Sequence, residues 1–301
     1  MEKRQDAHPL SRVTLQPPFQ AYFLPMKQPS YRPKGGKRPF QRRGDQRPRA
    51  TTGQNRPSAA EDGRVWLFGV HAVEAALNNP KRRVQRLLMT ENAEHRLAEA
   101  VGARSVSPER VTPRDLDRLL GPDTVHQGVL LETEPLPDLS LQDLLEQADT
   151  GPLLVLDQVT DPHNVGAILR SAAVFGAGGL VMTRRHSAPL DGTLAKSASG
   201  ALELVPVALV QNLARTIDEL KEQGCLTLGL EGTSDAKIED ETFAGRVALV
   251  LGAEGKGLRE LTRKSCERLV KISTSGPIAS LNVSNAAAIA LHHAAWKRAQ
   301  S

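Results

Sequence analysis

Ordered apolar patterning begins near Arg64. "RVWLFGV" alternates as a strand, "HAVEAALNN" has helical spacing, and "VQRLLMT" at residues 84–90 alternates again. "AEHRLAEAVG" is helical, and in "TPRDLDRLLG" Thr112 caps a helix whose first position is Pro113. "HQGVLLETEP" closes the unit as a strand. These elements predict a small α/β domain over residues 63–134. A linker with one short helix, residues 135–150, follows.

From Leu153 the alternation restarts and strengthens. Strand "LLVLD", helix "NVGAILRSAAVFG", strand "GLVMT", helix "DGTLAKSASGA" and strand "LVPVAL" come first. Helix "NLARTIDELKEQG", strands "CLTLGLE" and "VALVLG", helix "LRELTRKS", strand "LVKIS" and helix "NAAAIALHHAAWKRA" complete the chain. Apolar strands alternating with amphipathic helices predict a mostly parallel sheet with helices on both faces, over residues 151–301. Ligands of such sheets sit at the carboxyl ends of the strands. The loops beyond those ends are therefore where chemistry is expected.

Three of these loops combine glycine with polar residues: "DQVTDPHNVGAILR" (157–170), "LGAEGKGLRE" (251–260) and "TSGPIASLNVSN" (274–285). Familiar motifs are absent from them. "GAGG" at 176–179 precedes a strand and reads as a helix C-cap, so it is no dinucleotide fingerprint. "GAEGKGL" lacks the Gly-Lys-Ser/Thr ending of a phosphate loop. Eight His and two Cys show no metal-ligand spacing, so no metal is expected. No Gly-x-Ser-x-Gly elbow supports a serine nucleophile. Taken singly, Asn164 reads as an N-cap, Arg170 as a surface arginine and Glu254 as a turn carboxylate. Gly252, Gly255 and Gly257 mark either tight turns or close approach of backbone to a ligand. Ser280, Asn282, Ser284 and Asn285 exceed what one helix cap requires. Together, at the ends of three strands of one sheet, the residues point to a site.

Charge changes the picture at the N-terminus. Residues 1–62 hold 13 Lys/Arg against 5 Asp/Glu, a balance of +8 within a chain of net +5. Nine of the 20 prolines lie there too, so the segment is expected to be disordered and to contact RNA as a polyanion. Cys225 and Cys266 are the two cysteines of the chain, which makes disulfide stapling unexpected and fits a reducing compartment. No apolar stretch approaches the ~20 residues of a membrane span, and no secretory signal is evident. A soluble, cytoplasmic protein is expected.

"NVGAILR", "LGAEGKGL" and "SLNVSNAAAIAL", in this order and spacing, resemble the three motifs of the SpoU branch of the SPOUT RNA methyltransferases. The likeness covers about residues 153–298, and "LFGVHAVEAAL" resembles the start of the family's ribosomal-protein-like RNA-binding domain. One departure is Ile272-Ser273-Thr274, where related sequences usually read Ile-Pro-Met.

The resemblance implies a C-terminal trefoil knot, a homodimer, and S-adenosylmethionine as cofactor. It implies 2′-O-methylation of a guanosine in 23S ribosomal RNA. The alternatives are a transfer RNA 2′-O-methyltransferase of the same branch and a non-catalytic RNA-binding assembly factor. Carried over by motif, the catalytic set is Asn164, Arg170, Glu254, Ser280 and Asn282. The cofactor set is Leu251, Gly252, Gly255, Ile272, Leu281 and Asn282. A guanidinium holds its proton too tightly to serve as a base, so Arg170 is expected to grip the RNA phosphate and stabilise the developing alkoxide.

Overall fold

The described residues fold into two sheets that share a continuous apolar core. The first is built by β1 (Val65–Phe68), α1 (Val70–Asn78), β2 (Val84–Met89), α2 (Glu91–Arg104), β3 (Glu109–Arg110), α3 (Pro113–Leu120) and β4 (Val129–Thr133). Its strand order is β1-β4-β2-β3, antiparallel except for the β2–β3 pair. The computed structural model describes residues 63–104, 106–147, 151–278 and 280–300, all within one compact unit, Gly53–Ser301. The basic tail at 1–62, with its expected disorder, lies outside the described residues.

The second sheet follows α4 (Leu141–Gln147) and contains β5 (Leu153–Asp157), β6 (Gly179–Thr183), β7 (Val207–Val210), β8 (Leu226–Leu230), β9 (Val247–Gly252) and β10 (Arg268–Val270). Their order is β10-β8-β9-β5-β6-β7, and each neighbouring pair is parallel. The connecting helices are α5 (Pro162–Val174), α6 (Gly192–Ala198), α7 (Leu213–Glu222), α8 (Glu260–Ser265) and α9 (Val283–Arg298). Because side chains alternate across a strand, β5 sends Leu154 and Leu156 to a core shared with α5 and α9. It sends Leu153 and Val155 to another, shared with α4 and α7. Both faces of the parallel sheet are therefore covered, as the apolar strands predicted.

Local differences from the expected elements have simple causes. β7 starts after Pro206, which has no N–H to donate to a ladder. The residues before it, Ala201–Glu203, coil into a short 3-10 turn. β3 was not expected, because its two exposed charged residues carry no apolar pattern. α5 begins at Pro162, two residues before the expected Asn164. Its N-cap is Asp161, whose carboxylate accepts from the His163 N–H at 2.9 Å. The cap reading of Asn164 is thereby corrected, and its side chain is left for other work. Within the stretch expected as a linker, α4 buries Leu144 and Leu145 against the parallel sheet.

One buried ion pair joins the two sheets. Arg82, after α1, meets Glu203 at 2.9 Å, with side chains 2% and 3% exposed. Asn79 donates to the same carboxylate at 2.7 Å, and Arg82 also donates to the Glu134 carbonyl at 3.0 Å. Among the described residues no helix is long and apolar enough to cross a membrane.

Candidate active site

The loop after β9 is shaped by backbone crowding. It folds back on itself, Gly257 N–H donating to the Ala253 carbonyl at 2.9 Å. A Cβ at Gly252 would stand 2.1 Å from the Gly257 carbonyl carbon, so only glycine fits beneath the fold-back. Gly255 turns the tip at φ 74, the left-handed region that glycine adopts without strain. Beyond the loop, Arg259 is anchored twice to Asp157 at the end of β5: backbone N–H at 2.9 Å and Nε at 2.6 Å. The Asp157 side chain is fully buried. The loop is thus held at both ends, and Glu254 stands exposed on it.

A different device holds the segment after β10. Ser273 donates its N–H to one Glu239 oxygen at 3.0 Å and its hydroxyl to the other at 3.1 Å. Burial pushes the Glu239 carboxyl up, but hydrogen bonds from its own N–H and from Ser273 outweigh this and hold it below the usual range. A proline at 273 has neither donor, so the departure from Ile-Pro-Met replaces ring stiffness by a carboxylate clip.

These loops meet at Asn282. Its side-chain oxygen caps α9, accepting from Ser284 N–H at 2.8 Å and Asn285 N–H at 3.4 Å. Its amide nitrogen donates to Asn164 Oδ1 at 3.0 Å and to Glu254 Oε1. The first turn of α5, the β9 loop and the start of α9 are joined through one side chain. The polar surplus before α9 therefore has a use beyond capping.

Two cavities flank this junction. The larger, of about 390 Å³, is walled by Leu251, Ile272 and Leu281 and edged by Gly252, Gly255, Glu254 and Ser280. Asn282 does not line it, although its neighbours Leu281 and Val283 do. The second, of about 320 Å³, is lined by Gln158, Asp161, Asn164, His186 and Lys256. Ala253 and Glu254 line both. Arg170 lines neither: it is the ninth residue of α5, exposed, with no hydrogen-bond or ion-pair partner among the described residues. Sequence reasoning passed over Asp157, Arg259, Glu239, Gln158, His186 and Glu231. Glu231 directly follows β8 and lines the larger cavity, so the rule of strand ends applied there also.

The chain matches two family models. Residues 151–292 match the SpoU rRNA methylase family, and residues 66–139 match the RNA 2′-O ribose methyltransferase substrate-binding family. It is 40% identical to a 23S rRNA (guanosine-2′-O-)-methyltransferase RlmB of Pseudomonas putida, over 77% of this chain and 96% of the relative. The RlmB of Escherichia coli K12 is 38% identical, over 77% of this chain and 98% of the relative. Among solved structures, the SpoU methyltransferase AviRb of Streptomyces viridochromogenes, in complex with the cofactor AdoMet, superposes with a TM-score of 0.68. That likeness has 27% identity over 80% of this chain and 92% of AviRb.

Proposed function

The chain belongs to the SpoU rRNA methylase family, and from that premise we propose that it methylates the ribose 2′-oxygen of a guanosine in 23S ribosomal RNA, in the cytoplasm, using S-adenosylmethionine. The observation that carries this reading is the pair of cavities sharing Ala253 and Glu254, bridged beside them by Asn282. A two-substrate transfer needs two pockets that meet at one reacting point.

The larger cavity fits the cofactor. Its volume of about 390 Å³ lies within the usual range for such ligands. Leu251, Ile272 and Leu281 offer apolar walls for a purine, and the glycine edges at 252 and 255 leave backbone within its reach. When bound, the cofactor supplies a methyl group already made electrophilic by a sulfonium. The chain's own residues position the ribose hydroxyl, whose proton passes to an RNA phosphate oxygen or to water. Asn282 fixes the Glu254 carboxylate at the wall between the cavities, and Asn164 is oriented by the same amide. Ser280 edges the cofactor side, where its hydroxyl makes no hydrogen bond among the described residues and is left to bond substrate. Arg170, exposed on α5 and without a partner among the described residues, grips the RNA phosphate and steadies the alkoxide.

Residues 63–134 form the RNA substrate-binding domain and residues 151–301 the methyltransferase domain, with 135–150 between them. The segment from β10 to α9 threads a trefoil knot, as the likeness to the family implies. Two copies pair through α5 and α9. These helices pack together, yet Val174 is 76% exposed and Trp296 49%, apolar surface that a second copy would cover.

Mapping of 2′-O-methyl groups in 23S RNA from a strain lacking the protein tests the activity. One guanosine should lose its methyl group and regain it on incubation with protein and S-adenosylmethionine. An unchanged map would overturn the proposal.

A further inference from the structure

Among the described residues, four that are not glycine adopt positive φ: Gln127, Gln158, His186 and Ser199. Such a backbone is strained for an L-residue, and it persists only where something holds it. Two of the four have a structural reason. Ser199 is the C-cap of α6, and the Gln127 side chain accepts from the Val70 N–H at the start of α1. The other two, Gln158 at φ 58 and His186 at φ 60, both line the second cavity.

Their turns are firmly held. Thr183 at the end of β6 donates to the Arg185 carbonyl at 2.6 Å and shares a 3.0 Å hydrogen bond with the Ser187 hydroxyl, bracketing His186. Ala188 N–H donates to the Val159 carbonyl at 3.3 Å, tying the His186 turn to the Gln158 turn. Yet the side chains so displayed are idle. Gln158, His186 and the neighbouring Lys256 make no side-chain hydrogen bond or ion pair among the described residues. Backbone strain, rigid support and unpaired polar groups around one cavity are what a preformed polar pocket requires.

We infer that this second cavity takes the base of the acceptor nucleotide, unstacked from the RNA, and that Gln158 and His186 are specificity-determining contacts to it. The inference rests on the methyl-transfer reading and adds what that reading leaves open: which residues distinguish the base. The cavity adjoins Glu254 and Asn164, so a base held there leaves its ribose beside the wall shared with the cofactor cavity. Guanine presents acceptors at O6 and N7, and the Gln158 amide, the His186 ring and the Lys256 ammonium all carry donors. A base must leave its stack to enter such a pocket, as is usual where an enzyme reads a single nucleotide.

Glycine substitution separates side chain from backbone. Gln158→Gly and His186→Gly keep the turn and relieve its strain, so the thermal midpoint should hold or rise, and calorimetric binding of S-adenosylmethionine should not change. Single-turnover transfer to a 23S fragment bearing the mapped acceptor guanosine should fall about tenfold or more for each. The preference for that fragment over one with adenosine at the acceptor position should shrink similarly. Wild-type rates and preference in both variants would overturn the inference, as would a rate loss accompanied by lost cofactor binding or lost stability. If the unmodified protein transfers no methyl group, the proposed function falls and takes this inference with it. That outcome is distinct, because it needs no variant.

Discussion

Asn282 and Asn164, 118 residues apart, are joined by a 3.0 Å hydrogen bond from the amide of the first to the side-chain oxygen of the second. The other end of the Asn282 amide caps α9. A carboxamide carries donor and acceptor on one rigid plane, and no other short side chain does. The start of α9 is thus fixed by the same group that orients Asn164 and Glu254, so the helix start and the site are held by one side chain.

Replacing that amide separates capping from bridging. Asp caps as well as Asn does, but Asn282→Asp sets a carboxylate against Glu254 where a donor stood. The variant should stay folded and lose methyl transfer by about 100-fold or more, the scale of one preorganised donor. Asn282→Ala should lose the activity and also about 0.5–2 kcal/mol of stability from the missing cap. Single-turnover rates beside thermal unfolding check both. A fully active Asp variant would exclude the bridge from catalysis.

The Glu239–Ser273 clip predicts a defect in cofactor binding. Ser273→Ala removes the hydroxyl bond from an exposed pair, worth at most about 1 kcal/mol, so Kd for S-adenosylmethionine should rise about threefold, with little change in rate at saturation. The pH sign follows from the carboxyl being held below its usual range. The contribution is present above the unfolded value of about 4.3 and is lost as pH falls through the lower folded value. The difference between wild type and variant should persist from neutral pH down to about 5 and shrink in stronger acid. Equal calorimetric affinities at pH 7 would show the clip to be idle.

The parallel sheet was legible because β5, β6 and β9 are unbroken apolar runs buried along their length. Glu254, Ser280 and Asn282 were legible as polar groups at strand ends. What periodicity hides is the partner of each. Nothing in "NVGAILR" says that the cap is Asp161 or that Asn164 is released to meet Asn282. Asp157 read as the last residue of a strand, whereas its carboxylate anchors Arg259 from a strand away. Such pairings depend on which loops the topology brings together, and the sheet order places β9 beside β5.

The ion pair between the sheets should be costly to halve. Glu203→Ala leaves the Arg82 guanidinium buried without its carboxylate, a loss of about 3–5 kcal/mol. A double variant, Arg82→Met with Glu203→Leu, should recover most of it, because apolar replacement of a buried pair is often neutral. Urea unfolding measures both. A cost below about 1 kcal/mol for Glu203→Ala would mean that the pair opens to water without harm.

Arg170 gives the most demanding test, because no hydrogen bond or ion pair among the described residues assigns it a structural task. It is exposed on α5, unpaired among the described residues, and outside both cavities. An arginine so placed should cost at most about 0.5 kcal/mol of stability when truncated. If it grips the RNA phosphate and steadies the alkoxide, Arg170→Ala should cut methyl transfer by about 100-fold or more. Cofactor affinity should be untouched, since the larger cavity is built from other loops. Arg170→Lys should rescue poorly, because an ammonium lacks the planar fork that binds two oxygens together. The comparison is single-turnover transfer to 23S fragments beside calorimetric titration of S-adenosylmethionine. A near-normal rate for Arg170→Ala would remove it from the mechanism and leave Glu254, Asn164 and Asn282 as the groups that act on the ribose.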